Sequence, residues 1–364
     1  MQIIELFKYL INAKSETPDD GGLLDFIAEY LQGYTAVRVD KNEVKNLFIY
    51  KKFGEGKHLC FAGHVDVVPA GTGWENDPYI AMEKDGYIYG RGTQDMKSGV
   101  AAFLQAVKET KEFDGTLSLL LTSDEEGPGK YGTLEVLKYL KENDLMPHSC
   151  VVAEPTCESV FGDAIKVGRR GSINGLLKIQ GKQGHAAYPE KSLNPIHQIA
   201  KVLDKVAGID LDHGDEFFAP SKFVITDIRS GMQVTNVTPN SLEMMFNVRN
   251  STKTTTKEIE SFIAEHFKDM HYTLSLDQSA FPFVTNSDTK IVKKIDRAIQ
   301  EITGVKTKYS TAGGTSDARF IAPCGVEVIE FGVKNDTIHS VNERTTAKEV
   351  EDLYKVFKRL IEIY

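Results

Sequence analysis

Along the first third of the chain the apolar positions switch between two spacings. Residues 1–14 break their apolar positions with Glu5 and Lys8 at a helical interval, and 23–31 repeat that amphipathic pattern. Short apolar runs at 46–51 and 58–68 predict strands, and 80–89 predicts a hairpin about Asp85-Gly86. A helix is expected over 100–111, a strand over 116–122, a helix over 131–143 and a strand over 150–153. Such alternation predicts an α/β fold in which helices flank a sheet. The middle of the chain has a different order: strand 173–179, helix 195–206, strands 223–228 and 242–248, helix 257–267, strand 272–276. That is β-α-β-β-α-β, the split ferredoxin-like plan. The tail returns to α/β character, with a helix over 288–302, a strand over 326–331 and a closing helix from 346. One α/β domain made of 1–170 and 284–364, interrupted by a small α+β domain at 171–283, accounts for the change of pattern.

Composition narrows the class of function. At 364 residues the chain exceeds what one hydrophobic core usually serves, which agrees with two domains. Lys and Arg number 43 against 52 Asp and Glu, a net charge of −9, and no basic block interleaves with aromatics, so a nucleic-acid partner is not expected. No window holds the roughly 18 apolar residues of a membrane span, and residues 1–14 lack the unbroken apolar region of an export signal. Cys60, Cys150, Cys157 and Cys324 are scattered without C-x-x-C spacing, which argues against a disulfide framework and against a thiolate zinc site. A cytoplasmic location is expected.

Five imidazole or carboxylate groups fall at strand ends or just beyond them, where open α/β sheets carry their sites. His64 closes the run 59–63, and Asp66 lies two residues on, on the same strand face, able to hold the imidazole in one tautomer. Taken alone, H-x-D reads as a structural histidine beside a surface aspartate. Asp95 stands among small residues in Gly90-Arg91-Gly92-Thr93-Gln94-Asp95, directly before a helix, and an N-cap is its ordinary role. The strand over 116–122 runs into Asp124-Glu125-Glu126, three acids that repel one another unless a cation neutralises them, and a solvated acidic turn explains them equally well. Glu154 follows the apolar strand 150–153 and precedes Pro155, and His339 lies in a late polar loop, where taken alone it reads as an ordinary surface histidine. Collectively His64, Asp95, Glu126, Glu154 and His339 form a hard-oxygen and imidazole set suited to zinc, with Glu125 as a spare glutamate.

Three stretches, Gly63-His64-Val65-Asp66, Gly90-Arg91-Gly92 through Asp95-Met96-Lys97, and Ser123-Asp124-Glu125-Glu126-Gly127, resemble in order and spacing the signatures of the M20 metallopeptidase family. The resemblance implies a two-zinc aminopeptidase-like catalytic domain, a mixed sheet flanked by helices, with an inserted ferredoxin-like domain used for dimerisation. It assigns His64 and Glu154 to one Zn2+, Glu126 and His339 to the other, Asp95 to both, and the general acid/base role to Glu125; Co2+ is an alternative occupant. It also implies a cis peptide at Asp95-Met96. Further runs around Arg169, His185, Asn236 and Gly314 are similar to the branch that removes succinyl groups from diaminopimelate. For that small-molecule substrate the resemblance adds Arg169, Ser172, Tyr188, Asn236, Arg249, Gly314, Thr315 and Asn335 as contacts, Asp66 as part of the catalytic set, and His185 as an oxyanion donor from the other chain of a homodimer. For Arg249 a strand-end surface arginine is the competing explanation. One departure is Gln94, where the family pattern has a small residue; its side chain need not face the metals. Acetylornithine deacetylase or aminoacylase chemistry would use the same metals with another acyl pocket, and a non-catalytic metal- or peptide-binding protein would have no need of Glu125.

Overall fold

The computed structural model describes residues 1–314 and 316–364. The chain divides into two compact units. One comprises Met1–Gly168, Thr285–Ser310 and Ser316–Tyr364, and the other comprises Arg169–Val284 with a short segment that begins at Thr311.

The first unit is built on an eight-stranded mixed sheet, in the order Thr35–Arg38, Asn46–Lys52, Thr116–Thr122, His58–His64, Ser149–Val152, Glu327–Glu330, Ala164–Lys166, Lys308–Ser310. Its central strands are parallel neighbours, buried along almost their whole length. Strands covered on both faces are expected to read as continuous apolar runs, and these do. The helices Lys97–Glu109, Ala347–Ile363 and Ile3–Asn12 pack against one another, and the first of them also meets the His58–His64 strand. Phe61, Phe103, Phe331 and Phe357 join strands to helices in that core. The strand expected over 58–68 stops at His64, because its neighbour ends at Thr122; beyond that point Val67 pairs with Ser15 and Glu16 instead.

The second unit carries a four-stranded antiparallel sheet in the order Phe223–Ser230, Ser241–Val248, Ser172–Gln180, Tyr272–Ala280. Taken in chain order with its helices, this is the split β-α-β-β-α-β plan. Alternate residues of Ser241–Val248 are buried, and Leu242, Met244, Phe246 and Val248 join Ile259, Ile263 and Phe267 in a core of their own. Gly175 sits opposite Phe246 and has no room for a side chain: a Cβ would lie 2.0 Å from that ring. The helix expected over 195–206 is broken into Pro195–Ile199 and Leu203–Val206, and between them Lys201 and Val202 donate to the carbonyls three residues back.

Candidate metal centre

Three parallel neighbours of the large sheet end almost in step, with His64 opposite Thr122 and Ala62 opposite Val152. The loops beyond them therefore open side by side. His64 ends one strand, Ser123-Asp124-Glu125-Glu126 follows the second, and Glu154 follows the third. Asp95 arrives from the Gly90–Gly92 loop just before the helix Lys97–Glu109, and the Asp95-Met96 peptide is cis, as the resemblance implied. Gly99 lets that helix start against the third strand, since a Cβ there would stand 2.3 Å from the Ala153 carbonyl oxygen. His339, with φ +58°, comes from the loop after Glu327–Glu330.

These elements bring all five expected donors together. His64 Nε2 lies 3.1 Å from Asp95 Oδ1, while His339 Nε2 lies 3.2 Å from Asp95 Oδ2 and 2.9 Å from Glu126 Oε1. Asp95 thus offers one oxygen to each imidazole. Glu154 Oε1 and Glu125 Oε2 stand 3.8 and 3.9 Å from His64 Nε2. The donor atoms of His64, Glu125 and Glu154 lie within 4.8 Å of one another, and so do those of His64, Asp95 and Glu126. Both triads draw on the single free nitrogen of His64, so they mark one continuous cluster of imidazole and carboxylate donors, of the kind that holds divalent cations such as zinc.

The charges of the cluster show what it lacks. Burial, and then the charges of Asp317, Asp95 and Glu126, push Glu125 well above the usual carboxylate range despite His64. Glu154 is pushed up likewise by burial, Asp95 and Glu125. Burial acts in the same direction on Asp95, yet hydrogen bonds from His339 and His64 hold it well below the ordinary value. In return the hydrogen bonds to Asp95 and Glu126 raise His339 to about 10. Burial pulls His64 down, and its bond to Asp95 and the surrounding carboxylates more than reverse this. Buried acids packed this closely, each disfavouring the charge of the next, form a site that a cation would stabilise.

One expectation is corrected. The carboxylate of Asp66 does not hold the His64 ring: Nδ1 donates to the Asp66 backbone carbonyl at 2.8 Å, and the nearer carboxylate oxygen is 3.7 Å away. That carboxylate turns to the backbone N–H of Glu126, 3.1 Å from Oδ2, and so links the His64 strand to the other donor loop. Burial raises it to about 6, against the pull of His64 and the Thr17 hydroxyl.

Sequence reading missed Glu343. Its carboxylate is fully buried; Oε1 accepts from the N–H groups of Gln94 and Asp95 at 2.7 and 3.2 Å, and Oε2 from Gly92 N–H and Arg91 Nη1 at 3.1 and 2.7 Å. Arg91 also donates to the carbonyls of His339 and Ser340. A glutamate inside the polar run Val341-Asn342-Glu343-Arg344 carries no local mark of such a role.

Of the remaining expected residues, the exposed Asn335 lies in the first unit and donates its N–H to the Cys157 carbonyl. The others described belong to the second unit. Arg169 is buried and donates to the Ala312 carbonyl at 3.1 Å, and Ser172 Oγ accepts from Asn247. His185 pairs with Val237 in a short ladder, Ala186 N–H donates to the Asn236 carbonyl, and the His185 and Tyr188 rings are 5.8 Å apart. Arg249 and Gly314 are exposed, and Thr315 lies outside the described residues.

The chain matches the peptidase family M20/M25/M40 over residues 60–363. It is 68% identical over 364 residues to the succinyl-diaminopimelate desuccinylase of Sulfurimonas denitrificans, covering 100% of both chains. It is 65% identical over 362 residues to that of Nautilia profundicola, covering 100% of this chain and 99% of the relative. Among solved structures, aminopeptidase PepT of Bacillus cereus matches with a TM-score of 0.81 at 22% identity, over 99% of this chain and 97% of the other.

Proposed function

This chain belongs to the M20/M25/M40 peptidase family, and from that premise we propose that it hydrolyses N-succinyl-L,L-2,6-diaminopimelate to succinate and L,L-2,6-diaminopimelate, in the synthesis of lysine and diaminopimelate. The observation that carries the chemistry is Asp95 between His64 and His339, with Glu125 3.9 Å from His64. His64 and Glu154 would hold one zinc ion, Glu126 and His339 a second, and Asp95 both. Bound there, zinc supplies Lewis-acid polarisation of the amide carbonyl and a lowered pKa for water.

The chain's own residues do the rest. Glu125 takes the proton of the attacking water and gives it to the departing amine nitrogen, without which the amine is a poor leaving group. Asp66 holds the backbone of Glu126 and so the orientation of the Glu125-Glu126 turn. The substrate carries three carboxylates and one ammonium, and on a chain of net charge −9 it needs local cations. Arg169 and Arg249 are the forks suited to carboxylates, with Ser172, Tyr188, Asn236, Gly314, Thr315 and Asn335 as further contacts.

Zinc analysis of the purified chain, paired with kcat/KM on the succinylated substrate and on N-acetylornithine, tests this. Two zinc ions per chain and preference for the succinylated substrate are expected. Equal or better turnover of N-acetylornithine moves the chain to a sister amide hydrolase.

A further inference from the structure

Gln94 occupies a position where the M20 pattern has a small residue, and its side chain is not idle. It is almost fully buried, beside Asp95, and it reaches the loop that carries His339. Its Nε2 donates to Asp336 Oδ1 at 2.5 Å and to the Arg344 carbonyl at 2.8 Å, and its Oε1 accepts from Thr337 N–H at 2.9 Å. The neighbours fix the orientation of the amide: two acceptors face one end and a backbone donor faces the other. The Thr337 hydroxyl closes the base of the same loop on the Arg344 N–H at 3.1 Å. Between these anchored ends His339 stands on an exposed segment, in a left-handed backbone conformation, with its side chain 47% accessible.

We infer that Gln94 is a positioning residue for His339: its amide pins both ends of the His339 loop to the backbone of the Asp95 loop, so that the two donors keep their separation. Arg91 holds the middle of this exposed segment through the His339 and Ser340 carbonyls, and Gln94 holds its two ends through Asp336, Thr337 and Arg344. Loss of a partner that orients a metal-binding histidine typically weakens metal affinity about 10–100-fold. The inference rests on His339 being a ligand, as proposed above.

The probe is zinc alone, titrated into chelator-stripped protein against a chromophoric competitor. Gln94→Met, which keeps the volume and loses all three bonds, should weaken one of the two sites about 10–100-fold and leave the other at the parental affinity. Gln94→Glu sets a carboxylate against Asp336 and should weaken that same site. Adding Asp336→Asn to it restores a donor–acceptor pair, and should recover at least about tenfold of the loss, which no general loosening of the fold would allow. Parental affinity at both sites in Gln94→Met, or no recovery in Gln94→Glu/Asp336→Asn, overturns the inference. His339→Ala separates the two ideas. If it leaves both affinities intact, the ligand assignment itself has failed; if it removes one zinc while Gln94→Met removes nothing, only the brace has failed.

Discussion

At the scale of single residues, Glu125 and Glu126 are adjacent in sequence yet have different surroundings. Glu126 meets His339 directly, whereas Glu125 stands 3.9 Å from His64 and is charged with difficulty. Glu125→Gln keeps the shape and removes the titrating group, so kcat should fall by at least ~10²–10⁴-fold with the zinc content unchanged. Rapid turnover by a fully loaded Glu125→Gln chain would end its assignment as acid and base. Glu343 offers a contrast between stability and activity. Glu343→Gln leaves the buried Arg91 guanidinium uncompensated, and urea unfolding should show a loss of about 3–5 kcal/mol. In Arg91→Met/Glu343→Leu the unpaired charge is gone and only the part of the loss due to that charge should return, because three buried N–H groups remain without their acceptor. Turnover should stay low, because Gly92, Gln94 and Asp95 still lack the acceptor for their N–H groups. Recovery of both together would make Glu343 a purely structural residue. His64, Asp95, Glu126, Glu154 and His339 were legible because each stands just past a strand or in a marked loop. Glu343 and the brace by Gln94 were not, since their partners lie some 240 residues away and only the folded chain brings them close. The misplaced role of Asp66 has a similar cause: periodicity puts it on the face of His64 but says nothing of the Glu126 N–H that claims its carboxylate.

Elements long enough to show a period were legible, and the short ones were not. The strand Thr116–Thr122 and the helix Lys97–Glu109 follow from the apolar positions that dominate 117–121 and 100–107. Thr35–Arg38, Ala164–Lys166 and Lys308–Ser310 span three or four residues, too few for an alternation to register, and they hold their places through sheet pairing at and near one edge or the other. At the start of one central strand, burial and then the nearby His148 lower His58 to about 4, and its Nε2 lies 2.6 Å from the Ser118 hydroxyl of the neighbouring strand. An unfolded histidine takes up its proton near pH 6.5, so between about 6.5 and 4 the unfolded chain binds more protons than the folded one, and stability falls as the pH is lowered. Going from pH 7 to pH 5 the His58 contribution is about 2 kcal/mol. In urea titrations at both values His58→Gln should lose less than the parent by that amount. His64 and His339 are common to both proteins and cancel in the comparison. Equal losses would mean that His58 carries no such linkage.

At the scale of the whole molecule, what sets this reaction apart from simple metal binding is a donor for the tetrahedral oxyanion, and no residue of the donor cluster is free for it. His185 has suitable chemistry. Its Nδ1 accepts from Ala187 N–H at 3.1 Å, so the neutral ring carries its hydrogen on Nε2, ready to donate. It belongs to the second unit, whose sheet ends in the edge strand Phe223–Ser230 with Val224 and Ile228 exposed, beside Met245 on the next strand. Apolar side chains on an unpaired edge favour pairing with a second copy. The M20 resemblance implies a homodimer through this unit in which His185 of one chain serves the site of the other, and we propose it on that ground; losing such a donor typically costs ~10²–10³ in kcat. Glu125→Ala and His185→Ala chains, each nearly inactive alone, can be co-expressed with different tags and the mixed dimer isolated. If His185 acts across the interface, one site of that dimer holds both lesions and the other holds none, and about half the parental activity per dimer should return. If it acts within its own chain, every site holds one lesion and the mixed dimer stays as inactive as either parent. A chain that sediments as a monomer at full activity would remove the dimer and the shared site together.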